Sequence, residues 1–186
     1  MDNVPLFSKL ETHKAELKAK SDVEIENLKS RLSIAATEHQ VWFSRLHETR
    51  AKVIAKTYAL LQDLYAKVAD YVKIFEPTGD RPREERRKDV NSALDALRAY
   101  FYKKQIFLPK ETAIKVRNID TDMIQATSQF AYGVELTQRT EEESTKIWIE
   151  VFERMNGKIS TAMVELEDEF RELLGEKANK ALAADR

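Results

Sequence analysis

IENLKSRLSIAATEHQVWFSRLHETRAKVIAKTYALLQDLYAKVADYVKIF, residues 25–75, contains neither glycine nor proline. Glycine and proline are the strongest punctuators of helices, so nothing here interrupts one. An apolar row runs through it: Ile25, Leu28, Leu32, Ala35, His39, Trp42, Leu46, Arg50, Val53, Thr57, Leu61, Leu64, Val68, Tyr71 and Phe75. Every step is three or four residues, with a mean of roughly 3.6, between the heptad repeat and the straight helix. No alternating strand pattern competes with it. The spacing predicts one long, coiled-coil-like helix.

The flanks set its ends. Ser21-Asp-Val-Glu24 reads as a capping box, which starts the helix at residue 21 and leaves residues 1–20 as an arm or a separate short helix. Thr37 to Gln40 repeats the cap pattern and marks the place where a break would fall, although the apolar row keeps its phase through it. Pro77-Thr-Gly-Asp-Arg-Pro82 closes the helix after Glu76, with Asp80 as a cap for the next one. From 21 to 76 is about 84 Å at 1.5 Å per residue, longer than a compact globule of this size is wide. An elongated all-α bundle is therefore expected.

The remaining pattern supplies the bundle's other members. A helix over 82–105 buries Val90, Leu94, Leu97 and Phe101. A short helix spans 109–119, another covers 120–139, and a last one runs 141–174 after the capping box Thr140-Glu-Glu-Glu143. The last apolar row is Trp148, Phe152, Met155, Ile159, Met163, Leu166, Phe170 and Leu174, with Gly175 as its C-terminal stop. Residues 21–175 thus form one domain, and 176–186 a fraying tail.

RAYFYKKQIFLPKET, residues 98–112, admits two readings. Its lysines and aromatics, with Arg83, Arg86 and Arg87 upstream and Lys103 and Lys104 within it, could form a basic surface on which single-stranded nucleic acid stacks. Alternatively it is a structural corner: Phe101 shares a face with Leu94 and Leu97, and Ile106-Phe107-Leu108 plugs the bundle end before Pro109. The corner explains more of the residues, since acids at 165–176 and 141–143 can neutralise its cations.

This stretch, LDALRAYFYKKQIFLPKETAIKV, preceded by RLHETRAKVIAKTYALLQDLYAKVADYV, resembles a group of uncharacterised bacterial all-helical proteins over about residues 44–120. In these a long helix packs on a second one that ends in an aromatic-rich corner. The resemblance implies a fold and no activity.

Composition narrows the classes of function. The net charge of −1 gives no global pull toward nucleic acid or acidic lipid, and the lack of cysteine removes thiolate catalysis, thiolate metal sites and disulfides. No apolar run approaches the roughly 20 residues of a membrane span, and the first residues do not read as a signal peptide, so a cytoplasmic protein is expected. His13, His39 and His47 are the scarce catalytic candidates, but no Glu-x-x-His pair or glycine-rich phosphate loop accompanies them. The expectation is a non-enzymatic structural or interaction subunit without a cofactor. Its partner is a second copy or another helical protein, through Leu28, Leu32, Trp42, Leu46 and Arg50. Arg50 would sit in the seam, where an acid from the partner chain answers it. The alternative is a nucleic-acid-binding accessory protein using Arg81 to Arg117.

Overall fold

A computed structural model describes residues 4–176, with side chains from residue 9 onward. Among the described residues there is no strand, and the chain is an all-α helical bundle. The described residues form five α-helices in order: α1 (Val4–Val72), α2 (Arg83–Lys104), α3 (Lys110–Phe130), α4 (Glu141–Arg154) and α5 (Ser160–Leu173). A 3-10 turn, Gln105–Phe107, closes α2; π-turns at Ala131–Glu135 and Met155–Ile159 end α3 and join α4 to α5. The chain divides into two compact units, Met1–Glu48 and Thr49–Arg186.

The second unit holds the core. From α1 it takes Ile54, Leu61, Leu64, Val68 and Tyr71; from α2, Val90, Leu97 and Phe101. From α3 come Val116, Ile119, Met123 and Phe130, and from α4, α5 and the turn between them Val151, Met155, Ile159, Leu166 and Phe170. These positions recur at helical spacing, so each helix turns one apolar stripe inward and leaves most of its charges in water, Arg86 and Asp120 being buried.

Thr57 lies in the middle of this core, 0% exposed, and among the described residues its hydroxyl has no hydrogen-bond partner. A buried hydroxyl without a partner carries a desolvation cost of about 1–3 kcal/mol. Thr57→Val keeps the branched shape and removes the hydroxyl. It is expected to raise stability by about 1 kcal/mol, seen as a higher urea midpoint at unchanged slope. A lowered midpoint would show that the hydroxyl is bonded after all.

Several predicted boundaries move. The cap pattern at Ser21 does not start a helix, and Thr37 to Gln40 does not break one, since α1 runs through both. Ser21, Asp22 and Glu24 are exposed helix-interior residues, and with no breaker before them a cap-like tetrapeptide has nothing to terminate. Thr37 instead donates its hydroxyl to the Ser33 carbonyl at 2.9 Å, a bond made inside a continuous helix. At its other end α1 stops at Val72, short of Glu76, because Pro77 has no N–H to give the carbonyl four residues back, at Lys73, and its ring clashes with that carbonyl in a helix. Phe75 is consequently 78% exposed and leaves the core row.

Pro82, not Asp80, occupies the cap of α2, and the Asp80 carboxylate accepts the Arg81 amide at 2.9 Å. Residues 109–119 and the start of 120–139 form the single helix α3, with Asp120 buried inside it and its carboxylate accepting from Arg98 Nε at 3.2 Å. The predicted cap of the last helix is present. Thr140 and Glu143 form a reciprocal capping box. At the far end Gly175 has φ +96°, and its amide donates to the Glu172 carbonyl at 2.9 Å, a glycine-terminated helix end as expected. Residues 177–186, most of the predicted tail, lie outside the described residues.

Gly133, in the first π-turn, shows why that turn sits where it does. A Cβ there would stand 2.7 Å from Ile147 Cγ2, so only glycine lets the end of α3 lie this close to α4.

Candidate interaction surface

The first unit is a helix without cover. Every described residue from 9 to 45 is exposed, including the apolar ones. Leu28 is 59% exposed, Leu32 62% and Trp42 65%, with Ile25, Val41 and Phe43 close behind. Leu46 is half-buried. Soluble chains rarely leave so continuous an apolar row in water, and such rows mark places where another apolar surface docks. Beside it runs a ladder of rings: His39 stacks on Phe43, whose ring meets His47 edge-on with centroids 4.6 Å apart. The two histidines thus serve as aromatic neighbours of Phe43. Among the described residues no group of three or more His, Asp or Glu is placed to hold a metal ion.

Arg50 departs from expectation. Its Nε donates to the Phe107 carbonyl at 3.0 Å, so this chain's own corner answers it rather than an acid of a second chain. The corner has just turned through a 3-10 helix, whose last carbonyls lack helical partners, and a guanidinium satisfies one of them. Of the predicted plug, Leu108 alone is fully buried. Phe107 is half-buried, with the Lys104 ammonium 5.9 Å from its ring centroid, and Ile106 is 84% exposed. A tight 3-10 turn spreads successive side chains around its axis, so the three cannot all face inward.

The basic stretch is largely committed within the molecule. Arg83 makes a two-pronged contact with Glu76, at 2.9 and 3.0 Å, while its guanidinium lies 4.9 Å from the Trp148 ring centroid. Arg86 is 2% exposed; it donates to the Asp70 carbonyl at 2.9 Å and to the Glu76 carboxylate. Arg87 lies 3.2 Å from the Glu135 carboxylate, and Arg81 bridges Asp89 and Asp70. Arg83, with Arg86 behind it, holds the Glu76 carboxyl below its ordinary range. Hydrogen bonding from Lys73 does the same to Asp80.

Most of these partners were not legible beforehand. The acids at 165–176 do pair with basic residues, as Glu169 does with Lys115, but Arg83 and Arg86 share Glu76, Arg86 also reaches the Asp70 backbone carbonyl, and Arg87 is met by Glu135. Of the aromatics in the corner, Phe101 is buried, Tyr100 half-buried and Tyr102 about half exposed. Lys103 and Lys104 end α2, where cations favour the helix dipole. Among the described residues no helix is long and apolar enough to cross a membrane. Comparison of the chain with protein-family models, with curated proteins and with solved structures finds no match.

Proposed function

We propose that the chain is a non-enzymatic interaction subunit that works by helix–helix association, with residues 21–46 of α1 as the docking face and a second copy of the chain as its partner. The observation that carries this reading is the exposed row Ile25, Leu28, Leu32 and Trp42, in contrast to the fully covered row that follows in the second unit. Docking against a second helix removes that row from water at a gain of about 25 cal/mol per Å². The nucleic-acid reading has less support. Arg86 would have to leave a buried position to meet a phosphate, and Arg83 and Arg87 would have to give up their carboxylates.

Sedimentation at tens of micromolar tests the proposal. The expected species is a dimer, and Leu32→Asp is expected to shift it toward monomer without moving the thermal transition of the second unit. A single species near 21.5 kDa for the parent chain overturns the proposal. So does a salt-sensitive shift of a labelled single-stranded probe that Lys103→Glu with Lys104→Glu abolishes, since that behaviour belongs to a nucleic-acid surface.

A further inference from the structure

We infer that the two copies dock antiparallel, each member of the apolar row from Ile25 to Trp42 facing the member of the partner's row that brings the two numbers to a sum of 67. The inference rests on the self-association proposed above and adds its orientation and register. Ile25, Leu32, His39 and Leu46 recur every seven residues, as do Leu28, Ala35 and Trp42, in alternating steps of three and four. Those are the two inward-facing positions of a heptad repeat. The residue just before each member of the first series flanks the seam, which places Glu24, Arg31, Glu38 and Arg45 along one edge. All four are exposed. Their signs alternate.

In an antiparallel pair this edge faces itself. With the helices centred between Ser33 and Ile34, Glu24 lies beside the partner's Arg45 and Arg31 beside the partner's Glu38, and the two-fold axis makes each pair twice. Sliding by one heptad in either direction keeps the apolar rows in contact but places Arg31 beside the partner's Arg31 or Arg45, and Glu38 beside the partner's Glu24 or Glu38. Like charges held together in this way oppose association. Of these three registers one survives, and a slide of two heptads, which pairs opposite charges again, leaves far less of the apolar rows in contact.

A parallel pair is less well served. It joins each flanking residue to the one five positions on, giving Glu24 with the partner's Lys29 and leaving Arg31 against Ala36 and Glu38 against Phe43. It also stacks Trp42 on Trp42, His39 on His39 and Ala35 on Ala35, so wide and narrow layers follow each other. The antiparallel register sets Trp42 against Ile25, His39 against Leu28 and Leu32 against Ala35, layers of more even width. Phe43 then faces Asp22, a pair that adds nothing.

Charge exchange tests the register. Arg31→Glu alone and Glu38→Arg alone each put like charges together in the antiparallel seam, and each is expected to weaken dimerisation about tenfold by sedimentation. The double variant restores opposite charges and is expected to recover the parent dimer. The two residues are seven apart in one chain, roughly 10 Å along the helix, so rescue cannot arise within a single copy. Absence of rescue, or single variants without effect, overturns the register.

Pulsed dipolar spectroscopy on single spin labels reads the orientation directly. The axial separation grows by about 3 Å for every residue away from the centre, so a label at Ala19→Cys is expected about 30 Å farther apart along the axis than one at Ser30→Cys. Equal distances at both sites show a parallel dimer, which overturns this inference and leaves the self-association standing. Complete absence of dipolar coupling at micromolar protein overturns both.

Discussion

Arg86→Ala is expected to destabilise the second unit by about 2–5 kcal/mol, the cost of truncating a large, fully buried side chain. The side chain is among the largest that are fully buried, and it joins the end of α1, through the Asp70 carbonyl, to the connector, through Glu76. Its removal empties the space and leaves the Asp70 carbonyl without this donor, so packing and polar losses add. Chemical denaturation measures the loss, and a change under about 1 kcal/mol would show that Arg83 alone holds the connector.

The same site has an acid signature. The folded pKa of Glu76 is depressed by Arg83 and Arg86, so its stabilisation is fully present above the unfolded value and is lost as pH falls through the folded one. The parent protein is therefore expected to lose stability with acid from about pH 4.5 downward, the ordinary glutamate range. Arg86→Ala should flatten that limb, because Glu76 then titrates closer to its ordinary value. An acid limb of the parent's steepness would place its origin in other carboxylates, such as Asp89 beside Arg81.

Phe130→Ala is expected to cost a similar amount, about 3–5 kcal/mol, by opening a cavity where three helices meet. The ring is fully buried, meets Tyr71 of α1 with centroids 4.9 Å apart and near-perpendicular planes, and meets Trp148 of α4 at 5.6 Å. Trp148 in turn donates its indole N–H to the Val72 carbonyl at 2.7 Å, closing the last turn of α1. Loss of the ring should therefore loosen this closure as well as the core. In a Trp42→Phe background, Trp148 is the one remaining tryptophan, and its emission is expected to shift to longer wavelength before global unfolding. Emission that holds until the main transition would mean that the cavity collapses without freeing the indole.

The apolar rows of the helices were legible because burial acts on every turn and leaves a periodic trace. Residues 53–72 read correctly for that reason, as did the α2 row Val90, Leu97 and Phe101. What lay hidden depends on contacts between distant segments. Ser21 and Glu24 match a cap signature, yet the same residues suit an exposed helix interior, and the pattern does not say which. Arg86 looked like one of several surface cations, and nothing local distinguishes it from Lys88, which is exposed and pairs with Glu84 one turn away. Its burial is decided by Asp70 and Glu76. The exposed face of residues 25–42 was legible as an apolar row, since neither its residues nor their spacing depend on the rest of the fold.

Phe152 shows a subtler misreading, and the π-turn at Met155–Ile159 explains it. The expected row placed Phe152 inside, but Val151 is buried and Phe152 is 39% exposed. From Val151 the buried residues run 155, 159 and 163, steps of four that a uniform α-helix would carry off its inner face. The wider turn absorbs the excess residue and returns Leu166 and Phe170 to the core. In terms of sequence length, the chain carries one residue more here than a regular helix would need. Gly157, whose surroundings are open, is the natural one to spare. Relatives of this chain one residue shorter between α4 and α5 would then align without moving a single buried side chain, whereas a deletion elsewhere in α5 would rotate everything after it by about 100°.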